Sequence, residues 1–236
     1  MQCGIEIGQN LQFKLHKALL VYTSGQKCFV TQHDIRSVRK ESAPVLGPAQ
    51  MLTIDFVNSM VRSLGGNAEA ELLPENILAK GSHSIAWWTP AQRRHIFFQR
   101  REGKAKTLNG KIFPHPPLVW VVSDKHLFLR ALSENKRPTT STKMAVAPYW
   151  NISDNGAVCV GSMRNPNTCA VSSIAEWENG FYESAFTHSN VGRSSRHKDG
   201  FEGLWGSLAG KRMPFPAKML ISLSQTLAQF LREVRA

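Results

Sequence analysis

Two short apolar segments separated by a polar dipeptide constrain the fold more than any other feature of the chain. Leu118-Val119-Trp120-Val121-Val122 precedes the pair Asp124-Lys125, and His126-Leu127-Phe128-Leu129-Arg130-Ala131-Leu132 follows it. The first reads as a buried strand and the second as a strand of alternating character, with Asp124-Lys125 turning one into the other. A further extended piece runs from Lys143 to Ala147 and ends at Pro148. His95-Ile96-Phe97-Phe98 reads as another strand, and Pro114, Pro116 and Pro117 are expected to keep the approach to Leu118 irregular. Consecutive strands with short turns predict an antiparallel meander of about four strands.

Helical spacing brackets that meander. Met51, Leu52, Ile54, Phe56, Val57, Met60, Val61 and Leu64 predict an amphipathic helix that Gly65-Gly66 stops. Ser172-Ser173 is positioned to cap a helix through Ile174, Trp177, Phe181 and Phe186, although Gly180 weakens it. A short helix is expected over Gly200 to Leu208, and a last amphipathic one over Lys218 to Val234. Before all of these, Gln12 to Tyr22, the turn Ser24-Gly25-Gln26 and Lys27 to Thr31 read as a hairpin, and Ala43 to Pro48 as a connector. The stretch Leu72 to Gly81 reads as irregular, Ile85 to Trp88 as a strand end or aromatic corner, and 100–111 as a basic loop. The expected class is therefore α+β, with residues 1–48 as an N-terminal hairpin extension and 49–236 as the main domain ending in helices.

A hydrophobic content of 42% over 236 residues supports one sizeable core. No apolar run nears the roughly 20 residues of a membrane span, and the N-terminus lacks a secretory pattern, so a cytoplasmic protein without membrane association is expected. Cys3, Cys28, Cys159 and Cys169 are too scattered for a disulfide framework, and no C-x-x-C pair suggests zinc. Neither metal nor cofactor is expected, and the thiols stay free. The net charge of +12 concentrates in Arg93, Arg94, Arg100, Arg101, Lys104, Lys106 and Lys111, opposed there only by Glu102. This cluster reads first as a solvated hairpin tip, next as a surface for an acidic protein, and third as a nucleic-acid contact. The tryptophans at 87, 88, 120, 150, 177 and 205 read as core. A base-stacking surface would need them exposed, and no helix-turn-helix, zinc-finger or RNP pattern accompanies them.

The stretch from Ala147 to Met163 carries the most chemistry. It follows a strand, contains the turn pair Asn155-Gly156, and delivers Cys159 between small and apolar neighbours. It reads equally as a loop presenting a thiol at the surface or as a small hydrophobe entering a core. Asn151 stands eight residues before Cys159, and Asn155-Gly156 three to four before it. These offsets resemble the active loop of the ubiquitin-conjugating-enzyme (UBC) superfamily. The chain from Pro114 onward is similar to the protein B family of the PRTRC cassette. The matching pieces are Pro114-His115-Pro116-Pro117, Arg137-Pro138, Ala147 to Asn151, Gly156 to Met163, Phe186-Thr187-His188 and Leu204-Trp205 to Lys211.

The resemblance implies a UBC-like meander with flanking helices, and Cys159 as a nucleophile that accepts a ubiquitin-like protein as a thioester. It also implies a transferase that passes the acyl group to an amine, with Asn151 stabilising the oxyanion or pinning the loop. The partners implied are a ThiF-like activating enzyme, a ubiquitin-like protein and a JAB-type peptidase. The family's His and Pro are replaced by Tyr149 and Trp150, and the acid often found two residues after the cysteine is Gly161. Asp154 is a candidate for an acidic role, although an Asp beside Asn-Gly is ordinary turn chemistry.

Three other readings compete. Cys159, His188 and Asn190 or Asp199 follow the chain order of papain-like hydrolases, with His188 as base; a place for His188 at the site rim or a helix end is an alternative. Cys169 reads as a structural thiol in preference to a resolving one, and a metal site from Cys159, Cys169, His188 and His197 lacks any compact ligand pair. The third reading is a basic, non-catalytic DNA- or protein-binding accessory of a mobile-element cassette.

Overall fold

The protein is described by a computed structural model. It describes residues 4–6, 12–25, 27–36, 45–63, 72–99, 104–166 and 168–234. The chain forms two compact units, Met1–Glu71 and Leu72–Ala236.

In the first unit β1 (Gly4–Glu6) pairs with β2 (Gln12–Lys14), and β3 (Lys17–Ser24) with β4 (Lys27–Arg36). The second pair is the expected hairpin, turning where Gly25 takes a φ of +57° that suits glycine. Lys17 Nζ lies 2.7 Å from Asp34 Oδ1 across the hairpin, and this hydrogen bond and charge hold Asp34 below its ordinary pKa. β5 (Val45–Leu46) falls inside the stretch read as a connector; it and β6 (Gln50–Met51) both pair with β4. The expected amphipathic helix forms as α1 (Ile54–Ser63), and Gly65-Gly66 lies outside the described residues.

The second unit begins with β7 (Ile77–Lys80), β8 (Ser84–Thr89), β9 (Gln92–His95), β10 (Phe97–Phe98) and α2 (Lys104–Leu108). β11 (Ile112–His115), β12 (Leu118–Ser123), β13 (His126–Ala131) and β14 (Lys143–Ala145) follow. The last elements are α3 (Ile174–Glu183), β15 (Ala185–Phe186), α4 (Gly200–Leu208), β16 (Ser222–Thr226) and α5 (Leu227–Glu233). Helices and antiparallel sheet together make the class α+β, as expected. The main sheet has six strands rather than about four, in the order β16-β14-β13-β12-β8-β7.

Strand β12 explains the opening sequence feature. Leu118, Trp120 and Val122 face one apolar cluster, whereas Val119 and Val121 face a second. Both faces are covered, so the strand reads as a continuous apolar run instead of an alternating one. The first cluster holds Trp177, Phe181, Leu204 and Trp205 from α3 and α4, and the second holds Leu227 and Phe230 from α5. Each large side chain buried this way contributes roughly 1.5–3 kcal/mol. Asp124 and Lys125 both adopt positive φ, 45° and 69°, as a two-residue hairpin turn requires.

Several local expectations give way to tertiary pairing. The irregular stretch 72–81 contains β7, because backbone groups of Ile77, Ala79 and Lys80 find partners on β8. Ile85 to Trp88 is a complete strand rather than an aromatic corner, since it pairs on both sides, with β7 and β12. Pro114 sits inside β11 opposite Arg93, in a two-stranded sheet where its missing N–H is tolerated. The basic loop contains the short α2, packed through the buried Ala105 and Leu108. Phe186 leaves the predicted helix and joins β15, which runs parallel to β10.

The predicted helix over 218–234 divides in two. Ser222 to Thr226 pairs along β14, and Thr226 then caps α5 in a reciprocal box with Gln229. Its apolar spacing therefore belongs to two elements. Five of the six tryptophans are buried and Trp88 is half-buried, which places them in the core as expected.

A buried polar chain crosses the first cluster. His115 Nε2 lies 3.2 Å from the Arg94 carbonyl oxygen, and His115 Nδ1 lies 2.8 Å from Tyr149 Oη. A carbonyl only accepts, so Nε2 carries the proton and Nδ1 accepts the tyrosine hydroxyl. Burial pushes His115 down from 6.5 to about 3. The neutral folded form therefore contributes stability that is present above the ordinary histidine value and is lost as pH falls through that window. All six tryptophans lie in the second unit, so tryptophan fluorescence reports its unfolding. Its thermal midpoint is expected to drop on acidification below the ordinary value of 6.5, before most carboxylates titrate, and His115→Asn is expected to flatten that slope.

Candidate active site

The loop from Ala147 to Met163 is built by extending the main sheet and clamping both of its ends. Beyond the single β13–β14 pairing at Ala131 and Ala145, the N-terminal half of β13 is free to bind the loop. Val158 N donates to Leu127 O at 2.8 Å, and Leu129 N donates to Gly156 O at 2.9 Å. Phe128 bridges Ala157 and Ile152 bridges Val158, so residues 152–158 form a small flap folded back on itself. Its turn uses Asn155-Gly156, with Asn155 Oδ1 accepting from Ala157 N at 3.0 Å. Gly156 has φ +91°, and a Cβ there would lie 2.8 Å from Leu129 O and 3.2 Å from Arg130 Cζ. Only glycine fits both the conformation and the space.

Asn151 forms the upstream clamp. It is 5% exposed and takes φ +59°, a left-handed conformation that asparagine tolerates better than most residues. Its N–H donates to His188 O at 3.0 Å, and its carbonyl accepts from Cys159 N at 2.7 Å. The side-chain Nδ2 donates to Ala185 O at 3.0 Å, and Oδ1 accepts from Thr187 N at 3.2 Å and Thr187 Oγ1 at 3.0 Å. Downstream, Ser162 Oγ accepts from Ala185 N at 2.9 Å, and Met163 is buried where Gly180 leaves room. Both clamps close on the segment 185–188.

Cys159 lies between them, exposed, with Val160, Gly161 and Ser162 also exposed. The thiol is therefore presented to solvent and not packed as a core hydrophobe. Among the described residues its sulfur has no hydrogen-bond partner. His188 is exposed, and its Nδ1 lies 2.8 Å from Thr187 Oγ1.

Asp154 is exposed within the turn, and its carbonyl accepts from Arg130 at 2.7 Å. Asp199 is held at His197 instead of His188, with its N–H 3.2 Å from His197 Nδ1 and its carboxylate 4.0 Å from the same atom. Cys159, His188 and Asp199 thus do not assemble as a hydrogen-bonded triad. Cys169 is free and donates to His83 O at 3.4 Å, beside a cavity of about 340 Å³ lined by Ser82, His83, Asp124, Lys125 and Thr168. Among the described residues there is no metal-binding cluster. Nor is any helix of the described residues long and apolar enough to cross a membrane.

Two residues named in the sequence only as parts of longer stretches support the site. Thr187 connects Asn151 to His188, although a threonine in an irregular segment gives no separate signal. Arg130 is 3% exposed and faces the second cluster with Phe128, opposite Leu127 and Leu129. It donates to Asp154 O and, at 2.9 Å, to Gln225 Oε1, while its guanidinium lies 5.3 Å from the Phe230 ring centroid. Burial lowers its pKa, and Glu233 and Asp154 pull it back up. A charged residue in phase with apolar ones along a strand is the signal that marks it.

The sequence model of prokaryotic E2 family D matches residues 56–223, and the chain belongs to that family. This bears out the resemblance to a prokaryotic E2-like group and associates the protein with ubiquitin-like conjugation. No curated protein and no solved structure matches the chain.

The clamps make a mechanical prediction. Asn151→Ala is expected to destabilise the second unit by about 2–4 kcal/mol, because it removes three side-chain hydrogen bonds and leaves a left-handed alanine. Gly156→Ala is expected to cost about 1–3 kcal/mol through strain at φ +91°. Urea denaturation followed by tryptophan fluorescence measures both.

Proposed function

We propose that this protein is a ubiquitin-conjugating transferase of UBC-like fold that carries a ubiquitin-like protein on Cys159 as a thioester. The observation that carries the reading is an exposed thiol in a loop clamped at both ends, in a chain of prokaryotic E2 family D. An exposed sulfur can meet a macromolecular donor, and fixed loop ends hold it in one attack geometry. The Cys159 thiolate attacks the carbonyl of an incoming thioester; the new C–S bond forms as the old one breaks and the donor thiol leaves. An acceptor amine then displaces Cys159 and forms an amide.

In this reading Asn151 is the pin of the loop, since its amide is already committed to Ala185 and Thr187. Asp154 contributes turn chemistry. A ThiF-like activating enzyme supplies the acyl donor, a ubiquitin-like protein is the cargo, and a JAB-type peptidase reverses the product. The exposed Arg93 and Lys106 of the basic region suit an acidic protein surface.

Incubation with a ThiF-like activating enzyme, ATP and the ubiquitin-like partner is expected to yield an adduct that thiol reductants cleave. Cys159→Ala should abolish it, and Cys159→Ser should convert it to a reductant-stable ester. An adduct that persists in Cys159→Ala, or none with cognate partners, overturns the reading.

A further inference from the structure

We infer that His188 is the proton acceptor for the amine that discharges the Cys159 thioester, with Thr187 and Asn151 fixing which ring nitrogen does the work. This rests on the function proposed above and assigns the second half of the reaction.

The hydrogen-bond chain sets the tautomer. Asn151 Nδ2 donates to Ala185 O, so Oδ1 faces Thr187 and can only accept. Thr187 Oγ1, 3.0 Å from that oxygen, must direct its single proton there. His188 Nδ1, 2.8 Å from the same hydroxyl, then carries the proton of that contact. The remaining nitrogen, Nε2, is left with a free lone pair on an exposed ring. A threonine and an asparagine thus place the basic nitrogen on the outer side.

The backbone of Asn151 joins the residue that bears the ring to the residue that bears the thiol. Asn151 gives its N–H to His188 O and its carbonyl to Cys159 N–H, so one residue separates the two. Hydrogen-bonded main chains lie about 5 Å apart, which leaves roughly 10 Å between the two backbones. For the proton to pass, the imidazole and the acyl group on Sγ must meet across that span. The segment Ala157-Val158-Cys159-Val160-Gly161 around the thiol carries no base, Asp154 is the carboxylate in the flap turn, and Asp199 is engaged by His197.

Proton traffic is needed on the amine more than on the sulfur. Cys159 leaves as a thiolate, which needs no acid, whereas the acceptor ammonium first loses one proton to water to become nucleophilic, and the amine nitrogen must then shed a second as it bonds. The C–N bond forms, the C–S bond breaks with its electron pair remaining on sulfur, and the amine proton passes to His188 Nε2. The exposed imidazolium then returns that proton to water.

The test uses the full chain with Cys3, Cys28 and Cys169 changed to serine. Cys159 is charged by thiol exchange with the mercaptoethanesulfonate thioester of a glycine-terminated peptide. Single-turnover discharge to free lysine and to hydroxylamine is followed by mass spectrometry across pH. Hydroxylamine is already unprotonated near neutral pH and strongly nucleophilic, so it depends least on a base and reports chiefly on loop integrity. His188→Gln is expected to slow lysine discharge about 100-fold or more, while hydroxylamine discharge stays within about threefold.

Added imidazole should restore lysine discharge in His188→Ala, and Thr187→Val should lower it by freeing the tautomer. Equal losses for both nucleophiles, an unchanged lysine rate in His188→Gln, or no rescue of His188→Ala by imidazole overturn the assignment. Failure of Cys159 to take up any acyl group overturns the proposed function itself, so the two failures are distinguishable.

Discussion

Asn151 is the joint on which the site depends. Its N–H, its carbonyl and both side-chain polar atoms are bonded, to His188, Cys159, Ala185 and Thr187. This requires a left-handed backbone, so strain and satisfaction are two sides of one arrangement. Without it, the flap bearing Cys159 would be tied to β13 alone and the downstream clamp at Ser162 would have to hold the loop by itself. Asparagine suits the position because it tolerates positive φ and offers both a donor and an acceptor at short reach.

The joint works because its far side is rigid. Segment 185–188 is held by β10, where Phe98 pairs with Phe186, and by Gln99 N donating to Phe186 O at 3.1 Å. The near side is fixed by Trp205 Nε1 donating to Pro148 O at 2.9 Å and by Trp150 stacking on Phe201 with centroids 4.3 Å apart. Tyr149 is locked by His115 from inside the core. The loop is held by two aromatic anchors, Tyr149 and Trp150, which bring large apolar area and one hydroxyl that finds a partner. Below the turn, the buried Arg130 links Asp154 to Gln225, which in turn bonds Glu233 on α5. Sheet, loop and last helix are thereby connected through one guanidinium.

A tautomer inside the core and a tautomer at the rim follow the same logic. At His115 a carbonyl forces the proton onto Nε2, and at His188 a committed hydroxyl forces it onto Nδ1. The first histidine is sealed and serves packing. The second is open to solvent, where a free nitrogen can take part in chemistry. Burial, more than residue type, separates the two roles.

By itself, the sequence determined the α+β class, the hairpin at Asp124-Lys125, the buried β12, and helices α1, α3 and α4. These are local matters of turn chemistry, apolar periodicity and spacing, which a linear reading can measure. It did not reveal β7, the strand nature of Ser222 to Thr226, or Pro114 within β11, because pairing partners distant in the chain decide those. Nor did it reveal that Asn151 faces Thr187, that Arg130 lies beneath Gly156, or that Asp199 turns to His197. Each of these depends on which surfaces the core brings together, and only the tertiary structure decides whether a thiol is packed or presented.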